Sequence, residues 1–429
     1  MIYSKFFGHV RDRSFKNITL GRCSLLALIF TLFMYVNIWF KEEYMNDYTA
    51  RSCMTTKIRN FQNKDAEKNT CLEDTEILKF GKLPTYVIKK WPSVYESRRR
   101  SLREKCQVWL TRKKLNVNQT MILPPPLEYY KNLVAEPINF GLLYCIVYKV
   151  ASTNWLKMLM VLSEFNSKCA NRTQEMINRD EGDSSKDASQ NLADSISMIE
   201  AHNGGNLRLS SHYVKGWSKE CVGRLAERFI TFFFTRHPFE RVVSAYLDKF
   251  TPAASGMNYY YQKQIGSMIA NKFRRNASII SRFLGNDISF PEFIDYLLYE
   301  NKERNGNFDL LYRPITQMCH PCVTPYHFIG RYETFQSDTK YILKEASTRR
   351  SKTSFNTKDR SEEGIGDENI LTFPTLRHDT LERRTRTDRL KTLEYFNTLN
   401  RTQILKLVDI YKDDFYLFDY SYLDYLQPL

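Results

Sequence analysis

The chain has 429 residues, 42% hydrophobic and 26% charged, with a formal net charge of +15. That is enough apolar side chain to bury one large core or two modest ones, which excludes a wholly disordered polypeptide. The basic excess points to polyanionic partners, for which nucleic acid is the first to test.

The N-terminus argues against nucleic acid. Cys23 to Phe40 is an uncharged apolar run, preceded by Lys5, Arg11, Arg13, Lys16 and Arg22 against a single Asp12. Its length is at the short end for a membrane span, and the basic flank faces the cytoplasm. Lys41-Glu42-Glu43 follows in place of a small-residue cleavage site, so residues 23–40 are read as an uncleaved signal anchor after a cytoplasmic tail at 1–22. The remainder is then lumenal, where the available polyanions are glycosaminoglycans. Residues 41–126 read as a polar stem with helical periodicity only at 97–115, ending in the stiff connector Pro124-Pro125-Pro126. Arg98-Arg99-Arg100 reads as a solvated helix face or as a rim for a polyanion. The domain proper is expected at 127–429.

Leu142 to Val147 is a short apolar run, read as a buried strand. Tyr148-Lys149-Val150-Ala151-Ser152-Thr153-Asn154 then crowds a cation, two hydroxyls and an amide into one turn. A helical pattern through Trp155, Met158, Leu159 and Leu162 follows. Strand, polar turn and helix is a layout that catches phosphate on helix N-terminal amides. Ser152, Thr153 or Asn154 can cap the helix, and Lys149 adds a mobile point charge. The turn is not a Walker A loop, because no Gly lies between Lys149 and Trp155, which argues against a nucleotide kinase. Residues 171–199, rich in Asp, Glu, Ser and Asn, read as an inserted surface loop, as do residues 347–369. Phe229 to Thr235 is a second strand, followed by Arg236, His237 and a helix starting at Pro238 that carries Ser244. Arg236 stands where open α/β sheets bind ligands, with Glu240 and Asp248 as ordinary ion-pair partners. Lys263, Lys272, Arg274, Arg275 and Arg282 form a basic run beyond it.

The two stretches together, with Ser289-Phe290-Pro291-Glu292-Phe293, Cys319-His320-Pro321-Cys322, Phe328 to Thr334, Phe373-Pro374-Thr375 and Tyr411 to Phe415, resemble the Golgi carbohydrate sulfotransferases of the chondroitin/dermatan 4-O and HNK-1 group. The resemblance runs from about Tyr95 to the C-terminus. It implies a P-loop-like sulfotransferase α/β fold, a parallel sheet flanked by helices, preceded here by a single transmembrane helix. It implies 3′-phosphoadenosine 5′-phosphosulfate (PAPS) as donor, no metal, and residence as a single-pass type II Golgi membrane protein. Carried over by position, Lys149, Ser152, Thr153, Asn154 and Trp155 would hold the 5′-phosphosulfate, and Arg236 and Ser244 the 3′-phosphate. Lys149 and His202 are the catalytic candidates, His202 as general base, with His212, His237 and Glu292 as rivals.

The acceptor implied is a glycan hydroxyl, first of all position 4 of N-acetylgalactosamine in chondroitin or dermatan. Terminal N-acetylgalactosamine or glucuronic acid of a glycoprotein is the alternative, and so is a non-catalytic glycosaminoglycan-binding relative. The chain departs from the family's pattern at Tyr148, Ser152 and Leu156, and at Leu311-Tyr312, where the family often has His-Trp. A homodimer stays open. Eight cysteines lie beyond the anchor, and an even lumenal count suits disulfides whose pairing the sequence leaves open. Cys106 falls where the family carries a cysteine, and Cys319-x-x-Cys322, lacking a second pair at ligand spacing, reads as disulfide rather than zinc. Sequons at Asn118, Asn171, Asn276 and Asn400 agree with a lumenal domain.

Overall fold

The computed structural model describes residues 92–113, 132–136, 140–164, 219–251, 258–303, 305–354 and 387–426. All lie in one compact unit, Ile58–Leu429. Residues 23–40 fall outside them, and no helix among the described residues is long and apolar enough to cross a membrane.

The described elements in chain order begin with helix α1 (Ser93–Arg112), strands β1 (Leu133–Glu136) and β2 (Leu142–Cys145), and helices α2 (Ser152–Glu164) and α3 (Lys219–Arg228). Strand β3 (Ile230–Thr235), α4 (Pro238–Phe250), α5 (Asn258–Tyr261), a π turn, α6 (Ser267–Phe273), α7 (Ile279–Leu284), α8 (Phe290–Glu303) and α9 (Ile315–Cys319) follow. Strand β4 (Phe328–Arg331), α10 (Phe335–Ser354), α11 (Arg389–Phe396) and α12 (Arg401–Phe418) complete the set.

Among the described residues the sheet has four strands in the order β1-β2-β3-β4. β2, β3 and β4 are parallel, whereas β1 runs antiparallel to β2 with Val134 opposite Tyr144. The expected parallel sheet is therefore mixed. The cause is the short link from Glu136 to Leu142, since a parallel return needs a crossover of a dozen residues or more. The buried Glu136 carboxylate accepts the Phe140 amide at 2.7 Å.

The central strand β3, Ile-Thr-Phe-Phe-Phe-Thr, is buried on both faces. Trp155 of α2 packs on one of them among Tyr144, Phe232 and Phe234, with centroids 4.5–5.7 Å away. Beside Phe234 runs Gly330 of β4, where a Cβ would sit 2.3 Å from the ring, so no other residue fits without moving it. A second apolar cluster gathers α4, α8 and α12 around Phe239, Phe293, Tyr312 and Phe415.

α1 lies within the stretch read as stem, yet it belongs to the folded unit. Arg98 reaches over β4 to the buried Asp338 at 2.7 Å and to the Ile329 carbonyl, Cys106 is disulfide-bonded to Cys322, and Lys105 and Ser101 bind Asp419. Arg98 is thus a structural ion-pair partner, neither a solvated residue nor a rim, and Arg99 pairs with Glu96 at 2.6 Å. Residues 347–354, expected to open an insert, belong to α10, which continues to Ser354; the rest of that expected insert lies outside the described residues. In the basic run Arg274 is neutralised by Asp287 and Glu292, while Lys272, Arg275 and Arg282 are exposed.

Candidate functional site

Three parallel strands end on one edge of the sheet, and each delivers a residue there. After β2 the chain makes the turn 146–151, in which Lys149 (φ 67°) and Ala151 (φ 54°) are both left-handed without being glycine. Such residues cost on the order of 1–2 kcal/mol each and persist where the surroundings impose them. The Ala151 carbonyl accepts the Asn154 and Trp155 amides, so Ala151 occupies the cap position and Ser152 opens α2. Ala151, not Ser152, Thr153 or Asn154, stands at the position where a capping side chain was expected. Ser152 and Asn154 are buried and Thr153 is half-buried. Trp155 is a core residue, so any part it takes in the loop is through its backbone.

After β3 comes Arg236, whose side chain is only 2% exposed. Its Nη1 donates to the Lys149 carbonyl at 3.0 Å, and its Nη2 to the carbonyl and hydroxyl oxygens of Thr387, both at 2.5 Å. Nε faces Glu240 at 3.4 Å, and the guanidinium lies 4.1 Å over the ring of Tyr332, the residue that follows β4. The two sequence motifs, 87 residues apart, are therefore joined by a direct hydrogen bond. Thr387 was invisible to motif reading: it precedes α11, and only the fold brings it here, where its hydroxyl also donates to the Glu240 carbonyl.

Lys149 turns its ammonium to Asp248 of α4, not to Arg236's partner Glu240, and Lys249 reaches the same carboxylate at 3.0 Å. Burial holds Lys149 below the ordinary lysine value, with Asp248 pulling it back up and Lys249 and Arg236 adding to the fall. Burial alone would raise Asp248, but the two ammoniums outweigh it and keep the carboxyl below its usual range. Ser244 is buried on α4, one helical turn before Asp248.

The profile of the sulfotransferase family matches residues 133–421. The chain belongs to the sulfotransferase family. Similar curated proteins are carbohydrate sulfotransferase 11 of Rattus norvegicus, 30% identical over 297 residues and 69% of each chain, and carbohydrate sulfotransferase 8 of Mus musculus, 27% identical over 79% of this chain and 67% of the relative. Carbohydrate sulfotransferase 10 of Rattus norvegicus is 26% identical over 82% and 83%. No solved structure matches significantly.

Within this sulfotransferase two of the rival bases have structural duties. His237 caps α4: Nδ1 accepts the Phe239 amide at 3.2 Å while Nε2 donates to the Ser421 carbonyl at 2.9 Å. Burial pushes its imidazole down to about 4. Glu292 holds Arg274 through both oxygens and accepts the Ser289 amide; burial opposes its ionisation, but Arg274 and Ser289 bring it to about 2. His202 and His212 lie outside the described residues. Leu311 and Tyr312, read above as a departure from the His-Trp often found in the family, are buried, with the Tyr312 hydroxyl 3.3 Å from that of Tyr296. The expected disulfide role of Cys319 and Cys322 holds, with Cys145 and Cys106 as partners. Among the described residues no three His, Cys, Asp or Glu side chains gather as a metal site.

Proposed function

We propose that the chain transfers a sulfuryl group from PAPS to a glycan hydroxyl, in first place position 4 of N-acetylgalactosamine in chondroitin or dermatan. The observation that carries this reading is the hydrogen bond from Arg236 to the Lys149 carbonyl, which draws the two motifs into one cationic site at the strand ends. The residues fit a donor with anionic groups at two ends: a strained, amide-rich loop with Lys149 on one side, and on the other a planar guanidinium, with buried Ser244 two helical turns along the chain on α4. In this reading Lys149, Ser152, Thr153 and Asn154 hold the 5′-phosphosulfate, the α2 N-terminus adds its amides, and Arg236 and Ser244 hold the 3′-phosphate.

Bound there, PAPS supplies an activated sulfuryl group whose loss leaves a bisphosphate carrying extra negative charge on the former bridging oxygen. Lys149 stabilises that charge, and the fixed loop holds the donor for in-line attack, so positioning and electrostatics supply most of the acceleration. His202 is the proposed base for the acceptor proton. The folded unit, α1 included, faces the Golgi lumen behind the anchor at 23–40, with the stem confined to residues before α1 and 127–429 carrying the rest of the catalytic domain, and no resident metal is required. Sulfation of a glycoprotein glycan is the second reading, favoured by the burial of Leu311, which presents no titratable group where the family's pattern has His.

The test is transfer of labelled sulfate from PAPS by the purified full-length protein to desulfated chondroitin, dermatan and glycoprotein glycans, with disaccharide mapping. Label at the 4-position that falls by about 10²-fold or more in Lys149→Ala supports the first reading. Label found only on glycoprotein glycans replaces it with the second, and donor binding without transfer to any acceptor overturns both.

A further inference from the structure

We infer that Asp248 is a positioning residue for the donor cation: it holds the Lys149 ammonium in place and yields it to the donor while keeping Lys249 as its own partner. The inference rests on the reading of Lys149 as the donor contact.

Three observations lead there. Ser244 and Asp248 are four residues apart on α4 and share one helix face, the face turned toward the donor loop, so the carboxylate stands among the groups proposed to meet the donor. The Lys149 side chain springs from a left-handed residue, and its ammonium ends on Asp248. A carboxylate oxygen and a phosphosulfate oxygen present the same chemistry to that ammonium, so the two compete for it.

The second ammonium separates this arrangement from an ordinary buried ion pair. When a buried pair breaks, the charge left behind is normally stranded, which makes the break costly. Asp248 is not stranded, because Lys249 remains on it at 3.0 Å and is itself steadied over the Tyr261 ring at 5.1 Å. The groups that face Lys149 are Asp248 and Lys249 from α4 and Arg236 from the end of β3. Asp248 favours its charged form, and the two cations oppose it.

The test uses the purified full-length protein, with adenosine 3′,5′-bisphosphate as the probe in calorimetry from pH 6 to 10 and kcat/KM for PAPS over the same range. Asp248→Asn removes both the competitor and the charge that keeps Lys149 protonated. Binding tightens severalfold near pH 6.5, and the alkaline loss of binding moves down by about one pH unit. Lys249→Met does the reverse: Asp248 grips Lys149 alone, binding weakens severalfold, and the alkaline limb moves up. Should Asp248→Asn fail to fold, Lys249→Met carries the test by its sign. Limbs that stay at the wild-type position, or move the same way in both variants, overturn the inference. Lys149→Ala that binds the probe like wild type instead removes the reading of Lys149 on which it rests.

Discussion

Arg236 spends its guanidinium on five partners at once: the Lys149 carbonyl, two oxygens of Thr387, Glu240 and the Tyr332 ring. A lysine cannot copy a planar fork that both bonds and stacks. Arg236→Lys is therefore expected to lower kcat/KM for PAPS by about 10²-fold with a folded protein, since one charge-assisted bond lost is worth about 1.5–3 kcal/mol. Steady-state kinetics beside a thermal melt will read both.

His237 makes a pH prediction. Its folded value of about 4 lies below the unfolded value of 6.5, so between those limits the unfolded chain binds the proton that the folded chain refuses. Stability from this group is thus full above pH 6.5 and is lost as pH falls toward 4. Glu240 and Asp414, both raised by burial, work in the opposite sense at the acidic end. His237→Asn, which keeps a capping oxygen, is expected to narrow the difference in melting temperature between pH 7 and pH 5. An unchanged difference counts against the neutral, doubly bonded imidazole.

At the scale of elements, the strands and helices around the two motifs were legible because each is a single apolar or aromatic run followed by a polar break. Leu142 and Ile230 begin strands close to where hydrophobicity begins. β1 was not, because a four-residue antiparallel strand is fixed by its short link to β2 rather than by its own pattern. α1 carried the right periodicity, but nothing in its arginines tells that Arg98 will meet Asp338, 240 residues away. Of the candidate site, Lys149 and Arg236 stand in polar breaks after apolar runs and Ser244 came only with the family resemblance, whereas Thr387 and the use of Asp248 by Lys149 depend on tertiary approach.

Two contacts between elements can be tested. Gly330→Ala forces a methyl into the Phe234 ring between β3 and β4, and overpacking of this kind costs about 1–3 kcal/mol. Arg241 of α4 lies buried with Asp414 of α12 at 3.9 Å and donates to the Arg313 carbonyl, while Asp414 accepts the Ile315 and Thr316 amides at the start of α9. Arg241→Ala leaves Asp414 buried without its cation, an expected loss of about 3–5 kcal/mol that Arg241→Ala/Asp414→Asn partly restores. Denaturant titration of the single and double variants decides it, and equal losses in both would mean that the charge pair is not the cause.

Over the whole molecule, Cys319 and Cys322 fasten the loop before β4 to β2 and to α1, across 174 and 216 residues of chain. Cross-links over such spans restrict the unfolded chain strongly, and removing one typically costs 2–5 kcal/mol. Cys106→Ala with Cys322→Ala is expected to lower the melting temperature and to raise amide exchange first in α1, which the bond holds beside Arg98 and Lys105. Uniform exchange across the unit would mean that α1 is not held by that bond.

The same two bonds impose an order of events on synthesis. A ribosome delivers the chain from its N-terminus, so Cys106 and Cys145 are made long before their partners exist. At about 5–20 residues per second, the 174 residues between Cys145 and Cys319 correspond to a wait of roughly 10–35 s. During that wait the thiols available to them are each other, the earlier Cys53 and Cys71, and Cys169 and Cys221 as they are made. Any bond that Cys106 or Cys145 forms then must be undone by exchange once the Cys-His-Pro-Cys turn arrives. The candidate site, whose strand β2 ends at Cys145, is therefore closed covalently only after Cys319 has been made.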